Sequence, residues 1–258
     1  MLKRPAIAAV WLTFRVPILA YHYTGEPMDA DDAPITVSTA AFEEQIRYLA
    51  EGGYRSIGLH QLDRVFGADP ATTRFVAITF DDGRRCVYDE AFPILRKYDM
   101  RATVFLIGNR LDHRLFLSRY QIAEMTASGM WFESHCLTHR RLTSLARPDQ
   151  LRELEDSRHA IGALLGREPA YLAYPFGDYD AGVQALAQTV GYRAAVSTLT
   201  GLADATSDRF ALPRLGVRRH DDMRRFVDKL NGEFHGLRPQ GMYARLRATA
   251  SRFVRRNV

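Results

Sequence analysis

Short apolar runs rich in Val, Ile and aromatic residues alternate along the chain with segments of helical period. The runs predict eight strands, at 16–21, 54–59, 74–80, 101–107, 130–134, 171–175, 193–198 and 211–217. The segments between them predict helices at 39–51, 60–66, 86–98, 118–128, 149–165, 180–190 and 221–231. Apolar strands that alternate with helices form a parallel sheet covered by those helices. The pattern therefore predicts an α/β fold, a distorted (β/α) barrel with about seven or eight strands in a single domain.

Residues that commonly flank helices stand at several of the predicted ends. Ser38 precedes the first predicted helix and can cap it through its hydroxyl, while Gly52 and Gly53 can end that helix with positive φ. Pro148-Asp149 predicts the start of the fifth helix.

The composition fits one globular domain. The chain has 258 residues, of which 47% are hydrophobic and 25% charged, which supports one sizeable core and excludes disorder, coiled coils and repeat arrays. No run reaches the roughly 18–20 uncharged apolar residues of a membrane-spanning helix. Cys86 and Cys136 are too few for a disulfide scaffold or a four-cysteine zinc site, so we expect two reduced, partly buried thiols.

The C-terminal segment 235–258 differs in charge from the rest of the chain. It holds six arginines and no acid, whereas the other 29 basic and 30 acidic residues nearly cancel. Its apolar residues recur at helical spacing, which favours an amphipathic tail in peripheral contact with an anionic membrane; a terminal helix docked on the body is the alternative. The near-neutral body argues against a nucleic-acid partner.

The N-terminal segment 1–15 begins like a secretory signal, with Lys3 and Arg4 before an apolar run. No small-residue cleavage site follows, and the next apolar run is needed as a strand. We therefore expect a leader or anchor-like segment at 1–15, and the missing cleavage site favours the cytoplasm or a membrane face over export. The catalytic domain is predicted at 16–234.

Two adjacent aspartates follow the predicted strand 74–80, which stops abruptly at Asp81-Asp82-Gly83. Two carboxylates at a buried strand end are costly unless a cation neutralises them. Successive side chains diverge, so one aspartate can bind a metal while its neighbour faces a metal-bound water. The alternative is a pair of turn residues that cap the next helix.

Two histidines follow a second apolar run, in the sequence His135-Cys136-Leu137-Thr138-His139. Histidines four residues apart can converge on one ion, and imidazole with carboxylate oxygen suits Zn²⁺ or a similar divalent cation. A structural or surface pair is the alternative for the histidines alone. With Asp82 they provide two nitrogens and one oxygen, which leaves positions open for water and substrate.

Thr79-Phe80-Asp81-Asp82-Gly83 followed by His135-Cys136-Leu137-Thr138-His139 resembles the signature of NodB-type polysaccharide deacetylases, carbohydrate esterase family 4. The segments 91–95, 102–106 and 173–180 resemble that family too. The resemblance implies that Asp81 is the catalytic base, that Asp82, His135 and His139 hold the metal, and that the backbone N–H of Phe176 binds the oxyanion. It also implies an N-acetylated glycan as substrate.

The sequence departs from the commonest family pattern at two places. Ala173 stands where an arginine usually orients the base, and the late Leu-x-His motif is missing. However, Pro17-Ile18-Leu19-Ala20-Tyr21-His22 resembles the circularly permuted subgroup that acts on poly-N-acetylglucosamine, which implies His22 as general acid. Arg214, at the end of a late strand, can hold Asp81 ionised in place of the missing arginine, or form a surface ion pair.

The motif near residue 175 also predicts the substrate contacts, which we place at Tyr174, Pro175, Phe176 and Tyr179. Aromatic rings offer faces for sugar rings, although packing around the mouth of the barrel is an alternative for each. The predicted activity is metal-dependent removal of N-acetyl groups from an amino-sugar polymer, oligomer or precursor. The alternatives are a deacetylase or deformylase of a lipid-linked sugar, an O-acetyl esterase, and a degenerate carbohydrate-binding domain.

Overall fold

The computed structural model describes residues 14–67 and 73–234. The strands are β1 Ile18–Tyr21, β2 Tyr23–Thr24, β3 Thr36–Val37, β4 Tyr54–Ser56, β5 Arg74–Phe80, β6 Thr103–Leu106, β7 Trp131–Ser134, β8 Tyr171–Ala173, β9 Ala194–Thr200 and β10 Leu212–Gly216. The α-helices are α1 Thr39–Glu51, α2 Leu62–Phe66, α3 Phe92–Lys97, α4 Arg119–Ala127, α5 Arg147–Leu165, α6 Ala181–Val190 and α7 Met223–Leu230. The predicted tail 235–258 and most of the segment 1–15 lie outside the described residues.

Seven parallel strands close into a barrel in the order β1, β10, β9, β8, β7, β6 and β5, with β5 pairing back to β1. The eighth strand, β4, pairs with the first residues of β5 and extends the sheet outside the closed ring. The predicted (β/α) barrel is therefore confirmed. The short strands β2 and β3, which pair with each other, were not predicted because two-residue strands carry no periodic signal.

The alternation of side chains along β5 explains on which side of the strand Asp81 lies. Val76, Ile78 and Phe80 are buried in the cluster that packs under the helices. Ala77 belongs to a second cluster on the other face of the strand. Because successive side chains point to opposite faces, Asp81 continues the side of Ala77 beyond the end of β5.

The ends of α1 follow the sequence prediction in part. The Ser38 hydroxyl accepts a hydrogen bond from the Ala41 N–H at 3.3 Å, so the predicted cap is confirmed. Gly53 has φ 73°. Gly52, however, keeps φ −75°, so its predicted positive φ is wrong.

Two other predicted helices differ at their first turns. α5 begins at Arg147, two residues before the predicted start. Pro148 fits in the first turn because the N–H groups there have no partner within the helix, so the N–H that proline lacks is not needed. The predicted helix 86–98 opens with a π-helical turn, Val87–Ala91, before α3.

Two further sequence expectations concern thiols and membranes. Cys136 is buried, Cys86 is partly buried, and both are free. Within residues 14–67 and 73–234, no helix combines the length and apolar character needed to cross a bilayer.

Gly53 and Gly177 provide a matched test of local packing, because both have positive φ. A Cβ at Gly53 meets no heavy atom of the described residues within 4 Å, whereas a Cβ at Gly177 would lie 2.1 Å from Thr198 Oγ1. We expect Gly53→Ala to lower the free energy of unfolding by about 1 kcal/mol from backbone strain. Gly177→Ala should lower it by about 3 kcal/mol, because overpacking adds to the strain. Equal losses in urea denaturation would contradict this packing.

Candidate active site

The polar residues singled out in the sequence meet at the carboxyl end of the barrel. Asp81 and Asp82 directly follow β5, and His135 directly follows β7. His22 follows β1, which lies next to β5 in the closed ring. Loops at this end carry the chemistry of β/α barrels, because side chains from several strands converge there.

Asp82, His135 and His139 offer one ligand atom each within 4.8 Å of one another. Asp82 Oδ1 lies 3.5 Å from His135 Nε2 and 3.3 Å from His139 Nε2. Metal–nitrogen and metal–oxygen bonds of about 2.1 Å in tetrahedral geometry place neighbouring ligand atoms about 3.4 Å apart. The two distances from Asp82 Oδ1 therefore match those expected around one divalent ion of the size of Zn²⁺.

The partners of Asp82 leave one of its oxygens available. Its Oδ2 accepts a hydrogen bond from the Tyr23 hydroxyl at 2.9 Å. Its Oδ1 is buried and has no hydrogen-bond partner among the described residues. A buried carboxylate oxygen without a partner is costly, and its position between two imidazoles would suit a bound cation.

Both imidazoles present Nε2 to Asp82. The His135 Nδ1 pairs with the Ala173 carbonyl oxygen at 2.7 Å, which fixes the ring and turns Nε2 toward the cluster. Burial and the neighbouring His135 lower the pKa of His139 to about 4, against weaker opposing effects of Asp82 and Asp81. His139 is therefore neutral near pH 7, as a metal ligand must be.

Asp81 forms a buried bidentate ion pair with Arg214. The Arg214 Nη1 and Nη2 donate to Asp81 Oδ1 and Oδ2, each at 2.7 Å, and both side chains are nearly inaccessible to solvent. The Arg214 Nε donates to the Ser197 carbonyl oxygen at 3.0 Å, which fixes the guanidinium plane. Burial opposes ionisation of Asp81, but the Arg214 charge and its hydrogen bonds outweigh it and hold the pKa of Asp81 well below its usual range.

His22 lies on the other side of Asp81. Its Nε2 is 3.9 Å from Asp81 Oδ2, and its side chain is 27% exposed. Burial lowers the pKa of His22, while the charges of Asp81 and Asp82 oppose that shift. The structure thus brings together six of the predicted site residues around one opening: Asp81, Asp82, His22, His135, His139 and Arg214.

The four predicted substrate contacts fall into two groups. Tyr174 is 1% exposed and its hydroxyl donates to the Phe210 carbonyl oxygen, and Pro175 is also buried. Phe176 is 52% exposed, adopts the left-handed backbone region at φ 59°, and places its ring 4.5 Å from the His139 ring. Tyr179 is half-buried and stacks on Tyr174. Tyr174 therefore packs inside the protein and has no face for a sugar, whereas Phe176 does.

The role of Tyr23 at the site was not predicted from the sequence. Its hydroxyl donates to Asp82, and its ring lies under the Arg84 guanidinium at 4.7 Å. Arg84 in turn donates to Asp32 Oδ2 at 3.1 Å. No local pattern marks this arrangement, because Tyr23 and Asp82 lie 59 residues apart in the sequence.

Comparisons with known proteins agree on one family. A family profile described as polysaccharide deacetylase matches residues 68–195. YxkH of Bacillus subtilis, whose name assigns it to the polysaccharide deacetylases, is 30% identical over 204 residues, which cover 79% of this chain and 71% of that protein. A poly-beta-1,6-N-acetyl-D-glucosamine N-deacetylase of Staphylococcus epidermidis is 30% identical over 158 residues. That match covers 55% of this chain and about half, 54%, of the staphylococcal protein.

A solved structure extends the agreement to the fold. The Streptococcus pyogenes deacetylase PplD, determined in complex with acetate, superposes with a TM-score of 0.79 at 26% identity. The match covers 84% of this chain and 99% of that one. Taken with the relative in Bacillus subtilis, these likenesses establish that the chain belongs to the polysaccharide deacetylase family.

Proposed function

We propose that this chain is a metal-dependent hydrolase that removes N-acetyl groups from an amino-sugar polymer, oligomer or glycan precursor. The observation that carries the proposal is the pair Asp81 and Asp82, one held ionised by Arg214 and the other with a buried, unpaired oxygen between two histidines. Family membership supports an enzyme that acts on acetylated polysaccharide. We assign the activity to the segment 16–234, flanked by 1–15 and 235–258.

The metal site of the proposal consists of Asp82 Oδ1 with the Nε2 atoms of His135 and His139. A divalent cation bound there, most simply Zn²⁺, supplies a Lewis acid for the acetamide carbonyl and for the attacking water. The chain contributes the neutral imidazole of His139, the His135 imidazole held by the Ala173 carbonyl oxygen, and a carboxylate held by Tyr23.

Asp81 is the general base of the proposal. It takes a proton from the attacking water as the water oxygen bonds to the carbonyl carbon. Arg214 keeps Asp81 ionised and fixes both its oxygens, so the base needs no rearrangement before it acts. The backbone N–H of Phe176 binds the oxyanion that forms on the carbonyl oxygen.

His22 is the general acid of the proposal. Its Nε2 lies 3.9 Å from Asp81 Oδ2, so the acid and the base are neighbours at the carboxyl end of the barrel. His22 donates a proton to the departing nitrogen as the carbon–nitrogen bond breaks, and the proton that Asp81 takes from water replaces it over the cycle. The products are acetic acid, which ionises to acetate, and the free amine, so no other reactant is required.

The likeness to a poly-beta-1,6-N-acetyl-D-glucosamine N-deacetylase supports an N-acetylglucosamine polymer or oligomer as the substrate. The exposed ring of Phe176 beside His139 gives such a sugar an aromatic face at the site. The circularly permuted subgroup stays a prediction that rests on His22.

Acetate release from a panel of N-acetylglucosamine oligomers, with and without chelator, tests the proposed activity. We expect chelator to reduce release to background and Zn²⁺ to restore it. Asp82→Asn and His139→Gln should each weaken Zn²⁺ binding by more than about 100-fold, because even outer hydrogen-bond partners of metal ligands are worth about 10–100-fold. His113→Gln, an exposed histidine, is the control and should bind Zn²⁺ normally. Release that is insensitive to chelator would contradict the metal centre.

Replacement of the base or its partner should reduce turnover without removing the metal. We expect Asp81→Asn to lower kcat by about 10²–10⁴-fold, because it removes proton abstraction. Arg214→Gln should lower kcat by about 10-fold or more while KM and Zn²⁺ affinity stay within about 3-fold, because only the orientation and charge of the base change. Arg209, which makes a similar bidentate pair with Asp63 on the surface, provides the control Arg209→Gln. Full kcat in Arg214→Gln would exclude the positioning role.

If His22 is the general acid, the loss of rate on replacing it depends on whether the leaving group needs a proton. His22→Gln should lower kcat on N-acetyl sugars by about 10²–10⁴-fold, because an amine must be protonated to leave. Hydrolysis of 4-nitrophenyl acetate should fall less than about 5-fold, because a phenolate leaves without a proton. The two rates are measured on the same Zn²⁺-loaded preparation. If both fall equally, His22 acts in some way other than as the acid.

A further inference from the structure

We infer that Glu153 is a positioning residue for the metal ligands, because it anchors the loop that carries them. The loop in question, residues 135–139, is called here the histidine loop. This inference rests on the proposed metal centre. Glu153 lies in the second turn of α5 and none of the sequence motifs includes it.

The Glu153 carboxylate is 4% exposed and faces the histidine loop. Its Oε2 accepts hydrogen bonds from the backbone N–H groups of Leu137 at 3.1 Å and Thr138 at 2.9 Å. Its Oε1 accepts a hydrogen bond from the Thr138 hydroxyl. One buried carboxylate thus binds three donors in the middle of the loop, midway between the two histidines.

The histidine loop needs such an anchor because its backbone is strained. Cys136 and His139 both have φ 64°, in the left-handed region that residues other than glycine rarely adopt. Each such residue costs about 1–2 kcal/mol and persists only when surrounding contacts hold it. The Thr138 N–H is partly buried and would lose its acceptor without the Glu153 carboxylate, whereas the Leu137 N–H also donates to the Glu153 backbone carbonyl oxygen at 3.1 Å.

The same helix face also braces the start of the loop. Ser157, one turn after Glu153 in α5, pairs its hydroxyl with that of Ser134 at 2.9 Å. Ser134 directly precedes His135, so α5 holds the chain before the first histidine as well as between the two. Side chains four residues apart lie on the same face of a helix, and this explains why one helix makes both contacts. The position of His139 relative to Asp82 Oδ1 therefore depends on α5.

A purely structural role for Glu153 predicts a different result from a positioning role. Glu133 offers the matched comparison, because it is 5% exposed and accepts two backbone hydrogen bonds, from Ala170 and Tyr171 at 2.7 and 2.9 Å. Those donors lie just before β8 and at its first residue, and Glu133 also pairs with Arg167 at 3.1 Å. None of these contacts involves the histidine loop, so we expect loss of Glu133 to lower the stability of the fold and to leave the three donors of that loop bound to Glu153.

The test compares Glu153→Gln with Glu133→Gln in the full chain. The dissociation constant for Zn²⁺ is measured by competition with a chromophoric chelator, and Tm is measured on the metal-free protein. We expect both variants to lower Tm, whereas only Glu153→Gln weakens Zn²⁺ binding, by about 10-fold or more. Thr138→Val, which removes one of the three donors and keeps the side-chain shape, should weaken Zn²⁺ binding by about 3-fold even if Glu153→Gln fails to fold.

The outcomes separate this inference from the function on which it rests. If the unaltered chain binds no Zn²⁺, the proposed metal centre fails. If it binds Zn²⁺ and Glu153→Gln binds as tightly, or if Glu133→Gln loses as much affinity as Glu153→Gln, the positioning role is wrong while the metal centre stands. Unchanged affinity in Thr138→Val also counts against it.

Discussion

The insertion of β1 between β5 and β10 is the constraint on which the arrangement of the site depends. Ala20 pairs with Thr79 of β5 on one side and with Gly216 of β10 on the other. This register closes the barrel and brings the residue after β1, His22, next to the residue after β5, Asp81. A shift of one residue in β1 would exchange its two faces and remove the imidazole from the opening.

Two neighbouring carboxylates acquire different properties from different partners. Asp81 is bound on both oxygens by a guanidinium, which stabilises its charge within the barrel. Asp82 receives one hydroxyl hydrogen bond and keeps one oxygen free for a cation. The left-handed backbone of Asp82, at φ 71°, is what allows adjacent side chains to take these separate directions. Environment, more than residue type, thus divides the proposed work between base and ligand.

The sequence predicted the barrel fold. At the site it predicted the functional side chains more completely than the contacts that hold them. All eight predicted strands occur, because buried parallel strands are continuous apolar runs bounded by turn residues. For Arg214 the sequence left two alternatives, an ion pair with Asp81 and a surface ion pair. Arg214 lies on a buried strand, so its ion pair with Asp81 lies in the interior. Tyr174 was misplaced, because an aromatic in a motif gives no sign of whether it faces solvent. Glu153 was missed, since its contacts cross from a helix to a distant loop.

The two histidines of the cluster differ in solvent exposure, so one side of the site is buried and the other is open to solvent. The His135 side chain is 2% exposed and fixed by a carbonyl oxygen, whereas that of His139 is 26% exposed and borders the ring of Phe176. In the proposed metal centre, a cation from solvent would therefore meet the outer imidazole first and the buried nitrogen last. The same ion would leave along the side that Phe176 borders.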